Sequence, residues 1–151
     1  MLIKQKQELY KQCQVFVEKR LSAIQNTIKE IQEALISETK SSAGDKHETG
    51  RAMLQLEREK AGQQLAEIQK INQLLSKIDI SKTSEFIGLG SVVYTNQLNY
   101  YITISAGEIE FNGDLFYAIS VNTPIAKALL GKTIRDQIQF RDQNFEIIKV
   151  I

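Results

Sequence analysis

The sequence has one cysteine, one proline, one histidine and no tryptophan among its 151 residues. The single thiol, Cys13, excludes an internal disulfide and a metal site built from cysteines, which is typical of proteins in a reducing cytoplasm. The one proline is Pro124, and no glycine occurs before Gly44. Because proline and glycine are the residues that interrupt helices, the first part of the chain is free to form long ones.

Charge of one sign and long apolar runs are also lacking. The formal net charge is +1, so there is no general attraction to nucleic acid, and any such contact is expected to be local or indirect. No apolar run is long enough to cross a membrane or to resemble a signal peptide. The 42% of hydrophobic residues nevertheless suffices to bury a core. We therefore expect a cytoplasmic protein with no membrane contact.

The first half carries two apolar seams with a spacing of about 3.5 residues, which predicts two helices packed on each other. They are separated by a polar break, residues 41–50, which begins with a capping-box pattern at Ser42 and Asp45. The pattern predicts an antiparallel coiled-coil hairpin with this break at its tip. The seam residues are Val17, Leu21, Ile24, Ile28, Ile31 and Leu35 in the first helix, and Leu54, Ala61, Leu65, Ile68, Asn72 and Leu75 in the second.

The helical period stops at residues 79–84, and β-branched and aromatic residues dominate afterwards. The predicted strands are 91–95 and 100–105, then 109–111 and 115–119 around the turn signal Asn112-Gly113, and finally 134–140 and 145–150 around a turn at 141–144. Pro124 and Gly131 are placed to begin and end a short helix. The predicted class is α+β, with a helical hairpin over 1–79 and a small, mostly antiparallel β domain over 80–151.

The thirteen residues from Ser120 to Lys132, SVNTPIAKALLGK, closely resemble a signature of the C-terminal domain of the Gre-family transcription elongation factors. The order of a helical hairpin followed by a β-rich domain is similar to that family as well. The resemblance implies an FKBP-like fold for the second domain. It covers nearly the whole chain, loosely in the first helix and closely from Ser120 on.

The resemblance also implies a mechanism. Gre factors bind bacterial RNA polymerase at the rim of its secondary channel, thread the hairpin down that channel, and promote cleavage of backtracked transcripts. The tip segment Gly44-Asp45-Lys46-His47-Glu48 aligns with the family's tip motif, so Asp45 and Glu48 take the positions of its two functional acids. They would share the second Mg²⁺ of the polymerase active site, because Mg²⁺ prefers oxygen ligands.

By the same resemblance, the surface that contacts the polymerase includes Ser120, Asn122, Thr123, Pro124, Ile125 and Lys127. No cofactor is expected to bind the isolated protein, and contact with transcript RNA or DNA is expected to be indirect, within the elongation complex. The protein is expected to act as a monomer. It is not expected to be a free-standing enzyme, because the sequence has no nucleophile–base pair, no phosphate-binding glycine loop and no complete metal cage.

Two alternatives remain open. The tip departs from the family motif at Thr49, Arg51 and Ala52, and Arg51 lies three residues beyond Glu48, on the same helical face. The protein could therefore be a channel-binding regulator or inhibitor of the polymerase without cleavage activity. An FKBP-like domain could also be a chaperone or prolyl isomerase, which would need aromatic side chains around a proline-sized hollow. The candidates are Tyr94, Tyr100, Tyr101, Phe111, Phe116 and Tyr117.

Overall fold

A computed structural model describes the backbone of residues 2–40 and 44–151 and the side chains of residues 3–38 and 48–151. The element order confirms the predicted α+β class, with a helical hairpin ahead of a small sheet. The FKBP-like assignment stays a prediction. The elements are α1 (Leu2–Lys40), α2 (Gly44–Ser76), β1 (Val92–Thr95), β2 (Asn99–Thr103), β3 (Gly107–Phe111), β4 (Asp114–Ser120), α3 (Pro124–Leu129), β5 (Gln137–Phe140) and β6 (Gln143–Val150).

The chain divides into two compact units. Val17–Asn72 forms one, here called the hairpin unit, and Met1–Phe16 together with Gln73–Ile151 forms the other, called the sheet unit. Helix α1 therefore contributes its first turns to the sheet unit and the remainder to the hairpin unit. The domain boundary predicted between residues 79 and 80 stays a prediction.

The hairpin unit is built on the predicted seams. Its buried apolar residues are Val17, Ile24, Ile28, Ile31, Ala61 and Ile68. The two helices run antiparallel, because Ile24 and Ile68 line one cleft while Glu38 faces Gly50 nearer the tip. Large apolar side chains are also exposed on both helices, at Ile36, Met53 and Leu56. None of the helices has, among the described residues, an apolar stretch that could span a bilayer.

One predicted seam position is wrong. Asn72 is exposed, whereas its neighbour Ile71 is half-buried. The seam thus steps from Ile68 to Ile71 and then to Leu75, with spacings of three and four in place of four and three. A step of three residues falls about 60° short of a full helical turn and a step of four exceeds it by about 40°, so either order returns residue 75 to the face of residue 68. Ile71 takes the seam position in preference to Asn72 because burial of an amide without a hydrogen-bond partner is unfavourable.

The sheet unit contains a six-stranded sheet in the order β3-β4-β2-β1-β6-β5. The three predicted hairpins are confirmed as antiparallel pairs, β1 with β2, β3 with β4, and β5 with β6. The pairing of β2 with β4 is parallel, and the chain reaches β4 by way of the edge strand β3. Strand β1 then joins the two halves of the sheet by pairing with β6.

The turn at Asn112-Gly113 forms as predicted, with φ angles of 51° and 84° that match a tight hairpin turn. The last hairpin differs from the prediction, because its turn spans only Arg141-Asp142 and Gln143 already pairs with Phe140. Strand β5 also begins later than predicted. Residues 133–136 form a turn in which the Asp136 carboxylate accepts the main-chain N–H of Thr133 at 2.8 Å.

The sheet is buried on both faces, and strand β2 shows this most clearly. Tyr100 and Ile102 point into a cluster that includes Ala126 and Leu129 of α3. The alternating residues, Tyr101 and Thr103, point to the opposite face and are fully buried, as expected for a strand with period two. The beginning of α1 covers that second face.

Hydrogen bonds fix this part of α1 within the sheet unit. The Gln12 side-chain amide donates to the main-chain oxygen of Glu110 at 2.6 Å, and its oxygen accepts the Glu110 N–H at 3.0 Å. Glu110 lies on the edge strand β3, so Gln12 occupies backbone groups that would otherwise be open to another strand. The Gln5 amide donates to the Tyr94 hydroxyl. Leu9 and Cys13 are fully buried on the same stretch of helix.

Candidate functional site

The tip acids lie at the beginning of α2. The helix starts at Gly44, so Asp45 belongs to its first turn and Glu48 to the next. Residues three apart on a helix share a face, and the backbone thus places both acids on one side of α2. Glu48 is exposed. The side chain of Asp45 and the predicted capping box at Ser42 lie outside the described residues.

A third carboxylate approaches this end of the hairpin. An ideal Cβ built at Gly50 would lie 3.5 Å from Oε1 of Glu38. Glu38 belongs to α1 and is half-buried, so α1 presents an acid to the α2 segment that carries Glu48. Glu38 was not predicted from the sequence, because its position opposite Gly50 depends on the register between the two helices.

The chemistry of these donors fits Mg²⁺ only in part. Mg²⁺ takes six oxygen ligands and is commonly held by one or two carboxylates, with water or phosphate oxygens as the remainder. Asp45 and Glu48 can supply the carboxylates. Among the residues whose side chains are described, no three Asp, Glu, His or Cys groups form a metal-binding arrangement. The rest of a coordination shell would have to come from a partner.

The predicted partner surface surrounds the start of α3. Thr123 caps this helix, with its hydroxyl accepting the Ala126 N–H at 3.3 Å and donating to the main-chain oxygen of Ser120 at 2.8 Å. The Ser120 hydroxyl accepts the Asn122 N–H at 3.2 Å, and Pro124 occupies the first turn of the helix. The side chains of Ser120 and Thr123 are therefore engaged in holding the turn.

The remaining four residues of this set are available to a partner to different degrees. Asn122, Pro124 and Lys127 are exposed. Ile125 is half-buried and lines a cavity of about 370 Å³ together with Leu98, Tyr100 and Phe140. Leu98 and Phe140 were not predicted from the sequence as members of this surface. Leu98 could have been recognised, because an exposed apolar residue in a polar turn can mark a binding site.

The cavity also bears on the prolyl isomerase alternative. Of the six aromatic residues considered for such a pocket, only Tyr100 lines it. Tyr101 and Phe116 are fully buried, and the Tyr94 ring meets Phe116 edge to face with centroids 5.3 Å apart. These rings belong to the core. Isomerase activity stays a hypothesis that a proline-peptide assay can test.

Comparisons with known proteins give one kind of match. No protein-family model matches the chain, and no curated protein does. Among solved structures, the crystal structure of GreA factor homolog 1 (Gfh1) of Thermus thermophilus is similar over 89% of this chain and 92% of its own, at 19% identity and a TM-score of 0.35. A second structure of the transcription factor Gfh1 covers 95% of this chain and 93% of its own, at 20% identity and the same TM-score of 0.35. At this identity and TM-score the likeness carries no argument about function.

Proposed function

We propose that this protein is a Gre-like transcription elongation factor that binds bacterial RNA polymerase at its secondary channel and promotes cleavage of backtracked transcripts. The observation that carries the proposal is the position of Asp45 and Glu48 on one face of α2, at the closed end of a helical hairpin. The resemblance of residues 120–132 to the Gre signature supports the choice of partner.

The dimensions of the hairpin suit this role. Within the hairpin unit, α1 contributes residues 17–40 and α2 contributes residues 44–72, which correspond to lengths of about 36 Å and 44 Å at 1.5 Å per residue. Two packed helices are only about 20 Å across. A hairpin of this width could enter a narrow channel with the acids of α2 at its closed end.

The chemistry at the tip follows from the carboxylates. Mg²⁺ bound there would activate water and neutralise charge on the phosphodiester. Glu48 is exposed, so its oxygens are accessible to an ion shared with the polymerase. Asp45, one turn away on the same face, would supply the second carboxylate. The carboxylates would position the ion, and the polymerase would contribute the other ligands and hold the transcript.

Docking is assigned to the surface around α3. Asn122, Pro124 and Lys127 are exposed there, and Ile125 opens into the neighbouring cavity. A rigid turn held by its own hydrogen bonds loses little conformational entropy on binding. An apolar side chain of the partner could enter the cavity, while Lys127 would contact an acidic group at its margin.

Binding and cleavage are tested together with stalled, backtracked complexes of bacterial RNA polymerase. The wild-type protein should bind and shorten the transcript at its 3′ end. Lys127→Glu combined with Leu98→Asp, two exposed side chains of this surface, should weaken binding by tenfold or more, about 1.4 kcal/mol, without unfolding the protein. Lys132→Glu, at an exposed lysine outside the proposed surface, is the matched control. Absence of polymerase binding by the wild type would refute the proposal.

A second candidate is a channel-binding regulator that does not stimulate cleavage. The exposed position of Arg51, three residues after Glu48 on α2, favours it, because a guanidinium there can pair with Glu48 and withdraw it from a metal. In that case the wild type binds the polymerase and competes with cleavage factors without shortening the transcript. Arg51→Glu should then create or raise cleavage.

A further inference from the structure

A cavity of about 290 Å³ in the sheet unit lies near the end of α2. Three lysines line it, Lys6, Lys77 and Lys82, together with Asp79, Thr83 and Ser84. Three ammonium groups and one carboxylate give the cavity a net charge of about two positive units, although the whole chain is nearly neutral. Neither the hairpin tip nor the surface around α3 includes any of these residues.

Lys6 is the unusual member of this group. Its side chain is only 3% exposed, and lysine is almost never buried to this degree unless it is paired. Its ammonium donates to the main-chain oxygen of Lys82 at 2.8 Å. An ammonium has three donors, and this is the one hydrogen bond that the described residues give it. Two N–H groups therefore remain for a ligand in the cavity.

Asp79 does not neutralise Lys6 by direct contact. Its carboxylate accepts the main-chain N–H of Ser81 at 3.0 Å and the Ser81 hydroxyl as well. These bonds lower the pKa of Asp79 and hold it ionised in a local turn. Burial lowers the pKa of Lys6, with Asp79 opposing that effect only as a charge at a distance. A buried ammonium without an anion in contact is unfavourable, and a bound anion would relieve that cost.

We propose that this cavity binds the phosphate group of a small phosphorylated molecule. A phosphate monoester carries a charge of about −1.5 to −2 at pH 7, which matches the excess charge of the cavity. Lys6, Lys77 and Lys82 supply ammonium donors, and the Thr83 and Ser84 hydroxyls can donate to the remaining oxygens. The volume of about 290 Å³ is just below the usual range for small-molecule sites, about 300 to 1,000 Å³, so the cavity holds the phosphate group and the remainder of the molecule lies outside it. This assignment is independent of the proposed polymerase activity.

The test is titration of the full-length protein with inorganic phosphate and, separately, with AMP, at constant ionic strength and with adenosine as the uncharged control. Binding is followed by calorimetry and by NMR shifts of the Thr83, Ser84 and Gly90 amides. We expect saturable phosphate binding, no adenosine binding, and affinity at least about tenfold weaker in Lys6→Met, because a hydrogen bond between charged groups is lost. Binding of AMP as well as inorganic phosphate would identify a phosphate monoester as the ligand. Binding of inorganic phosphate alone would identify the free ion.

The matched control is Lys132→Gln, which removes an exposed lysine of the sheet unit that does not line the cavity. It should leave the phosphate affinity unchanged. If Lys6→Met fails to fold, phosphate affinity is measured in the double variant Lys77→Gln with Lys82→Gln. Both of these side chains are exposed, so their substitution should leave the fold intact. The proposal is overturned if neither probe saturates by about 10 mM, which is weaker than specific affinities, or if Lys132→Gln lowers affinity as much as the cavity variants.

Discussion

The two units of this chain bury their apolar residues in different ways. In the hairpin unit the buried residues form a single seam between two helices, and its four buried isoleucines, Ile24, Ile28, Ile31 and Ile68, each keep between 4% and 9% of their surface exposed. In the sheet unit both faces of the sheet are covered. Among the described residues, the largest side chains that are less than 2% exposed all belong to the sheet unit: Tyr101, Phe116, Leu9, Leu75, Ile102, Ile104, Leu129, Ile147, Val92, Val93, Thr103 and Cys13.

This difference indicates that the sheet unit contains more of the tightly packed core than the hairpin unit does. Truncation of one residue in a single seam between two helices should cost less free energy of unfolding, because neighbouring side chains and water can occupy the space. A two-sided core cannot adjust in this way. Substitutions at the tip of the hairpin unit should therefore have small effects on folding, whereas the proposed docking surface belongs to the sheet unit.

The largest expected effect contrasts one core residue from each unit. Phe116→Ala should lower the free energy of unfolding by about 3–5 kcal/mol, because Phe116 is fully buried. Ile28→Ala in the seam should cost about 2 kcal/mol, the lower end for a buried isoleucine, because Ile28 is 9% exposed. Denaturant unfolding of both variants measures the difference. Equal losses would contradict the comparison.

A second effect concerns Cys13 in the sheet unit. Burial raises the pKa of its thiol from 9.0 to about 11, which lowers the thiolate fraction at pH 8 about a hundredfold. Cys13 should therefore resist thiol reagents until the protein unfolds. As the matched control, Cys13→Ser combined with Ser22→Cys places a thiol on an exposed position of the hairpin unit, and that thiol should react at once. Rapid labelling of Cys13 in the folded protein would show that this part of α1 is not packed.

The same shift predicts a dependence of stability on pH. The folded state retains the Cys13 proton to higher pH than the unfolded state, so the contribution is fully present below pH 9 and is lost as pH rises towards about 11. Burial also raises the pKa of Tyr101, which acts in the same direction. Unfolding midpoints measured from pH 7 to pH 11 should fall above pH 9. Cys13→Ala should reduce that fall.

Two glycines are expected to give effects of opposite sign. Gly90 has a φ of 89°, and a Cβ there would lie 3.1 Å from Cγ2 of Ile78, so Gly90→Ala should cost roughly 1–3 kcal/mol. Gly50 lies in α2 with no tight neighbour. Gly50→Ala should therefore stabilise the protein by about 0.4–1 kcal/mol. Thermal unfolding of both variants provides the measurement, and stabilisation by Gly90→Ala would contradict the packing of the sheet unit.

The smallest effect is expected at the end of the hairpin seam. Asn72 is exposed, so Asn72→Ala should change the free energy of unfolding by less than about 0.5 kcal/mol. Ile71→Ala should cost more, because Ile71 is half-buried. The same unfolding experiment compares the two. A larger loss of unfolding free energy in Asn72→Ala than in Ile71→Ala would show that Asn72 lies in the seam, as the 3.5-residue spacing predicted.

Much of the fold follows from local patterns in the sequence. The apolar spacing from Val17 to Leu35 predicts the helix pair, the Asn112-Gly113 signal predicts the central hairpin, and Pro124 with Gly131 predicts α3. Each of these signals acts through a few neighbouring residues, either by helical periodicity or by backbone preference. This is why they can be recognised without knowledge of the tertiary structure.

The packing of the first turns of α1 could not be predicted in the same way. Gln5, Lys6 and Gln12 are polar, yet all three contact residues at least 76 positions away. Periodicity shows which face of a helix is apolar, but it does not identify the partner that covers that face. The same holds for the candidate site. The positions of Asp45 and Glu48 on a helix could be predicted from the sequence. Glu38 and the cavity beside Ile125 could not, because they depend on contacts between distant segments.

The most direct test of the central claim is the rate of transcript cleavage in backtracked complexes of bacterial RNA polymerase with variants of the two tip acids. Asp45→Asn and Glu48→Gln should each lower that rate by about a hundredfold or more, as expected when a ligand of a weakly held ion is lost, and raised Mg²⁺ should restore part of it. Polymerase binding and thermal stability should be unchanged. Glu57→Gln, at an exposed acid farther along α2, should behave as the wild type. Unchanged cleavage in both tip variants, or equal loss in Glu57→Gln, would contradict the role assigned to the tip.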